Sequence, residues 1–394
     1  MSRPARTPYT DPVLVTENDV LAAAIERFRG ESFITIDTEF VRERTYWPEL
    51  CVVQLGGANE VIVLDAQAEG LDLGLLGLLL DDPSVVKVFH AARQDLEIFL
   101  HLYGRLPQSL FDTQVAAMVA GFGDQVGYDS LVASLTGGDI DKAHRFSDWS
   151  ARPLSPAQIA YAAADVTYLR DVYQKLTARL EREGRLSWVA QEMACLSDPQ
   201  TFRPDPETLW ERLRPRTANR RMLGTLRAIT AWREREAQRV DVPRQRLVKD
   251  ESLLEIAATA PRDIEALSRV RGVSRGFAEG KGGAGLIAAI EAARHEPEAG
   301  LPTAARKDGP RPSPALVSLL KVLLAAKAEE HDVAPRLLAS SDDIDRLAVE
   351  AEPEIPALQG WRREVFGNDA LALKEGRVLL GVDGRKIKLL HPGA

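Results

Sequence analysis

The sequence predicts an α/β protein, a mixed sheet flanked by helices, completed by segments that are purely helical. Three observations predict it. Short β-rich runs alternate with helical periodicity from Val13 to about residue 120. Within that stretch, two strands follow one another with only turn residues between them. Near residue 155 the strand signal ends, and helical spacing dominates the remainder. A chain of 394 residues is long enough for two or three domains, and 45% hydrophobic with 27% charged residues is an ordinary globular composition.

The elements follow in order. VLV (13–15) is a short strand, and Thr16-Glu-Asn-Asp19 opens an amphipathic helix that runs to Arg29. FITID (33–37), LCVVQLG (50–56) and EVIVLD (60–65) are strands with short connections, which predicts antiparallel hairpins. LDLGLLGLLL (71–80) is about half a membrane span and is followed by Asp81 and Asp82, so it is a core helix. VVKVFHA (85–91) leads into the helical DLEIFLHLYG, which closes on Gly104; a strand flanked by helices predicts a parallel addition to the sheet. Asp112, in FDTQ, is placed to cap a helix. Ser155-Pro156-Ala157-Gln158 combines a capping serine, a first-turn proline and a glutamine three residues on, and starts a helix that extends to about Glu183.

Two Pro-rich links, LSDPQTFRPDPET (196–208) and EPEAGLPTAARKDGPRPSP (296–314), divide the rest. The expected organisation is a sheet domain over 1–205, a helical domain over 206–297, a linker over 298–312 and a second helical domain over 313–394. The Gly-rich GFAEGKGGAGLI (276–287) leaves the shape of one helix connection undefined, and KEGRVLLGVDGRKIKLL ends the chain with a strand-like, basic run.

Cys51 and Cys195 form no CxxC pair, which excludes a disulfide framework or thiolate metal site and suits a reducing cytoplasm. The first residues carry no apolar core, so no signal peptide is expected. A net charge of −8 argues against a nucleic-acid partner on average. The average hides a reversal: between Arg212 and Lys249 there are twelve Lys/Arg and three Asp/Glu.

FITIDTEF (33–40) carries the most informative anomaly. Strand side chains alternate faces, so Asp37 and Glu39 lie side by side at the end of an apolar strand. Two neighbouring carboxylates need a compensating cation once they leave bulk water. Asp95, at the start of a helix after a strand, and Asp165, one turn beyond Tyr161 in YAAADVTYL, supply further oxygen ligands. Singly, each has a plain structural use: an edge pair, a dipole-favoured helix start, a helix surface pair. Together they suit two divalent ions about 3.5–4 Å apart, which stabilise the entering and leaving oxygens of an in-line phosphoryl displacement. Tyrosine is a weak base, with a free pKa of about 10, but its hydroxyl can orient an attacking water. His90 sits at a strand end and reads as structural; the histidines form no HxxH and suggest no zinc site.

These residues resemble ribonuclease D, a family of the 3′→5′ exonucleases defined by four acids and a tyrosine. IDTEFVRERTYWPELCVVQL, FHAARQDLEIF and YAAADVTYL match its three motifs, and LFDTQVAA and SDWSARPL match further stretches. The likeness is dense over residues 12 to 205. Looser matches beyond it, TANRRMLGTLRAITAWREREAQRVDVPR and LQGWRREVFG, imply two small helical HRDC-like domains of the type shared with RecQ helicases. The fold so implied is a ribonuclease H-like mixed-sheet exonuclease domain followed by two small all-α domains.

The resemblance implies that Asp37, Glu39, Asp95 and Asp165 ligate metal, two Mg²⁺ or Mn²⁺ ions, with Tyr161 positioning the water. It implies terminal-nucleotide contacts at Phe40 and Gln54, and substrate-entry contacts at Lys142, Asp148, Trp149 and Arg152. Arg220, Arg221, Arg227, Arg244 and Arg246 are candidates for phosphate contacts in the basic stretch. The expected activity is 3′→5′ exoribonucleolysis that releases nucleoside 5′-monophosphates, with pre-tRNA 3′ ends as substrates, by a cytoplasmic monomer. A 3′→5′ DNA exonuclease and a non-catalytic RNA-binding adaptor are the alternatives; the intact acids and Tyr161 argue against the adaptor.

Overall fold

The structure is a computed structural model that describes residues 11–140, 143–144, 147–217, 219–303 and 311–391. The chain forms two compact units. One contains the residues up to Glu39, Leu50–Asp198 and the segment from 311 onward; the other contains Phe40–Glu49 and the residues from Pro199 to Thr303.

The first unit is built on a six-stranded sheet: β1 (Val13–Val15), β2 (Phe33–Val41), β3 (Glu49–Gly56), β4 (Val61–Asp65), β5 (Val86–Phe89) and β6 (Leu110–Asp112). Their order across the sheet is β1-β4-β3-β2-β5-β6. The short β3–β4 connection makes the expected antiparallel hairpin, with Val52 opposite Asp65 and Gly56 opposite Val61. β5 joins β2 in parallel, with Phe33 opposite Val86 and Thr35 opposite Val88. β1 and β6 add in parallel at the two edges. The sheet is mixed for the reason the connection lengths indicate: a tight turn reverses the chain, whereas a helical crossover restores its direction.

Helices α1 (Asn18–Phe28), α2 (Gly74–Leu80), α3 (Arg93–Tyr103), α4 (Thr113–Val119), α5 (Tyr128–Thr136), α6 (Pro156–Arg182) and α7 (Leu186–Leu196) cover this sheet and extend the unit. Their ends follow local chemistry. Ser155 and Gln158 form a complete capping box at the start of α6. Asp112 caps α4 by accepting from the Gln114 N–H, and Gly104 ends α3 at φ 70°. α1 starts without a side-chain cap; it is held by the buried Leu21, Ala24, Ile25 and Phe28.

In the second unit, α8 (Arg220–Val240), α9 (Arg244–Leu247), α10 (Asp250–Thr259), α11 (Ile264–Ser268), α12 (Arg275–Glu279) and α13 (Lys281–His295) enclose a core that includes Leu223, Leu226, Ile229, Leu253, Leu286 and Ile290. The Gly-rich stretch is no loose turn here. It continues into α13, where a Cβ on Gly285 would stand 2.7 Å from the Trp232 indole nitrogen.

The C-terminal segment begins with α14 (Pro314–Glu330) and ends in an antiparallel hairpin of β7 (Leu379–Asp383) and β8 (Lys386–Leu390), matching the strand-like signal. Its Leu320, Leu323, Leu338, Trp361 and Phe366 share one continuous apolar core with Ala116, Leu176 and Val189 of α4, α6 and α7. Trp361 stacks on Trp188 at 4.5 Å and donates to Glu192 at 3.0 Å, and Glu192 also pairs with Arg362.

Candidate active site

Asp37 and Glu39 stand at the C-terminal end of β2, past the last residue that pairs with β5. This is where a strand neighbour ends and a crevice opens. β5 leads directly to α3, and Asp95 lies in the first turn of that helix. One carboxylate sets the turn between them: Asp112 accepts from the N–H groups of Ala91 (3.0 Å) and Ala92 (2.9 Å) while it caps α4. It thereby holds Ala91 at φ 58°, a left-handed conformation unusual for alanine.

Helix α6 brings in Asp165. The Thr35 hydroxyl, two residues before Asp37, donates to the carbonyl of Val166 at 2.7 Å. Arg170, buried one turn further along, donates to the carbonyls of Phe33 (3.2 Å) and Gly56 (3.0 Å) and pairs with Glu31. The helix lies this close because position 56 has no side chain: a Cβ there would meet Thr35 Oγ1 at 2.4 Å and the Val166 carbonyl at 3.1 Å. Tyr128, on α5, donates its hydroxyl to the carbonyl of Asp165 itself. None of these four residues stands out in the sequence, because each acts on a partner distant along the chain.

The result is a cluster. Asp37, Glu39 and Asp165 each offer a carboxylate oxygen, and these oxygens lie within 4.8 Å of one another. Asp95 is buried beside them and accepts from the Thr38 hydroxyl at 2.5 Å. Burial pushes the Asp37 carboxyl up to about 6. Burial, followed by the neighbouring Asp37 charge, pushes Asp95 well above the usual carboxylate range. Crowded acids that resist ionisation are what a cation site looks like before its cation is counted, and an all-oxygen donor set fits a hard divalent ion. Tyr161, one turn before Asp165 on α6, has its ring 6.0 Å from that of the buried Trp149.

Residues 12–181 match a 3′-5′ exonuclease family model, and residues 222–290 match an HRDC domain model. The chain is 74% identical to a ribonuclease D of Gluconacetobacter diazotrophicus, over 98% of this chain and 99% of that protein. It is 68% identical to one of Granulibacter bethesdensis over the whole of both. The chain belongs to the ribonuclease D family. The crystal structure of Escherichia coli RNase D, described as an exoribonuclease involved in structured RNA processing, superposes with a TM-score of 0.80 at 31% identity, covering 93% of this chain and 99% of that one. The protein is thus a 3′→5′ exoribonuclease, with a ribonuclease H-like sheet domain followed by a helical HRDC domain, and exonuclease domains of this kind use divalent metal ions.

The other candidates of this ribonuclease D family member are placed as follows. Phe40 is half-buried directly after Glu39. Gln54 is fully buried in β3, and neither atom of its amide has a hydrogen-bond partner. Trp149 is buried against Tyr161. Arg152 forms a two-pronged pair with Asp65 and donates to the Cys51 and Trp149 carbonyls, which ties down the approach to α6. Asp148 is exposed and accepts from Ser150, and Lys142 lies outside the described residues. His90 bonds Thr113 at 3.0 Å, and burial lowers its basicity, in keeping with its structural reading.

The basic stretch is more internally engaged than its composition suggests. Arg220 donates to the Glu298 and Leu301 carbonyls, Arg221 to that of Glu296, Arg227 pairs with Glu296, and Arg244 pairs with Glu234. Arg246 is exposed.

Proposed function

We propose that this exoribonuclease trims the extra 3′ residues of tRNA precursors and other stable RNAs, releasing nucleoside 5′-monophosphates with the aid of two divalent ions, Mg²⁺ or Mn²⁺. The meeting of Asp37, Glu39 and Asp165 from a strand end and a remote helix supports this reading most directly. Asp37, Glu39, Asp95 and Asp165 would hold the ions. Bound there, divalent ions supply a neutralising charge at the phosphoryl group and lower the pKa of water.

The chain's own groups do the rest. The Glu39 carboxylate accepts from the 3′-terminal hydroxyl, and the Tyr161 hydroxyl orients the attacking water and helps receive its proton. Thr38 fixes one Asp95 oxygen by its hydrogen bond, leaving the other for ligation. Trp149 backs the Tyr161 ring, so the hydroxyl is aimed by packing as well as by α6. Phe40 and Gln54 shape the terminal-nucleotide pocket, and the helical segments 206–297 and 313–394 act as HRDC-like domains that grip RNA.

Monomeric, cytoplasmic action is part of the proposal. It rests on the family resemblance and on the cysteine usage, since Cys51 and Cys195 are not joined by a disulfide. The deciding assay gives the purified protein 3′-extended tRNA precursor and single-stranded DNA, with Mg²⁺ or Mn²⁺ and then with chelator. Metal-dependent shortening of the RNA to mature length supports the proposal. Equal loss of DNA favours a DNA exonuclease, and binding without cleavage an adaptor.

A further inference from the structure

We propose that an arginine-lined cavity in the second unit binds a phosphodiester of the RNA strand. The cavity has a volume of about 520 Å³. Four guanidiniums line it: Arg42, Arg212, Arg233 and Arg244. Against them stand two carboxylates, Asp250 in the wall and Glu234 behind Arg244. Cationic charge is therefore in excess where an anionic ligand would sit.

The cavity is built rather than incidental. Asp241, the residue after α8, accepts from the N–H groups of Tyr46 (3.0 Å) and Trp47 (2.9 Å) and anchors the segment that carries Arg42. The Tyr46 hydroxyl donates to Glu234 and accepts from Arg244 at 2.9 Å, and Arg42 Nε donates to the Tyr46 carbonyl at 3.2 Å. Arg233 is only 5% exposed and donates one nitrogen to the Val248 carbonyl and Asp250, both at 2.7 Å. Its Nε has no acceptor among the described residues. That N–H is closed off from solvent, so Arg233 contributes its charge to the wall and holds Asp250 and the Val248 carbonyl in place rather than bonding the ligand through Nε.

Guanidinium forks match phosphate geometry, and the apolar side of the cavity, with Leu209, Leu213 and Pro243, suits a sugar or base attached to that phosphate. The choice of an RNA phosphodiester rests on the exoribonuclease activity; a free nucleoside monophosphate shares the chemistry and is separated by the test.

The test uses the full chain in EDTA, so that no substrate is consumed, and a fluorescein-labelled oligoadenylate followed by anisotropy. Arg212→Gln, at an exposed position, and Arg42→Gln each weaken binding roughly 3- to 10-fold, and each lowers the salt slope by about one. Arg269→Gln, on an exposed helix surface, leaves affinity and slope unchanged. Oligonucleotide affinity and slope equal to wild type in both cavity variants overturn the proposal. So does a loss confined to AMP binding, measured by calorimetry, which would assign the cavity to a free mononucleotide. Failure of the wild type to degrade the same oligonucleotide when metal is added would instead refute the nuclease reading, and is scored separately.

Discussion

At the scale of single residues, the acids carry opposing costs. Asp37 ionises only near 6 because of its burial, so at neutral pH the metal-free protein holds a charge it would rather neutralise. The unfolded carboxyl ionises near 3.8, so stability is lost as pH rises from about 4 through 6. Asp37→Asn removes that cost. In chelator at pH 7.5 the variant is more stable than wild type, by up to about 3 kcal/mol, and the gap closes as pH falls from 6 to 4. Differential scanning calorimetry across that range checks both statements. Saturating Mn²⁺ reverses the order, because the ionised carboxylate binds the ion more tightly than the neutral amide oxygen does. The same substitution abolishes turnover while RNA affinity in chelator stays near wild type, measurable by hydrolysis and anisotropy on one preparation. Tyr161→Phe keeps the carboxylates and loses the hydroxyl, so kcat falls about 10²-fold with metal affinity unchanged.

At the scale of elements, the site depends on how closely α6 lies on the sheet. Gly56→Ala drives a methyl into Thr35 and the Val166 carbonyl, and so displaces the turn that carries Asp165. The expected outcome is a 10- to 100-fold lower kcat with KM little altered, and about 1–3 kcal/mol less stability, read by steady-state kinetics and thermal melting. Much of the element plan was legible beforehand. The capping box at Ser155, the cap at Asp112, the β3–β4 hairpin and the parallel β5 all follow from local signals. Asp37 and Glu39 announced themselves as carboxylates interrupting an apolar strand. What could not be read were the bolts between elements. Thr35 to Val166, Arg170 to Gly56 and Tyr128 to Asp165 are ordinary residues whose partners lie 131, 114 and 37 positions away. The basic stretch misled in a complementary way: composition counts arginines, but not the carbonyls and carboxylates that already occupy them.

At the scale of the whole molecule, the last segment completes a core begun by α4, α6 and α7. Removing residues 304–394 uncovers Leu176, Val189 and Trp188 and leaves Glu192 without Trp361 and Arg362. The truncated chain is expected to lose cooperative unfolding of the sheet unit, or to aggregate, as judged by calorimetry and size-exclusion chromatography. Glu192→Gln is the milder probe. It keeps an acceptor for the Trp361 N–H but removes the ion pair, and should lower stability by about 1–3 kcal/mol without touching the acids.

That shared core has a temporal corollary. During biosynthesis the polypeptide emerges from its amino end, so the segment carrying Trp361 and Phe366 appears after every strand of the six-stranded sheet and after α4, α6 and α7. Until then the helix that bears Asp165 lacks part of its support, so the degradative active centre matures only after that later segment has emerged and packed.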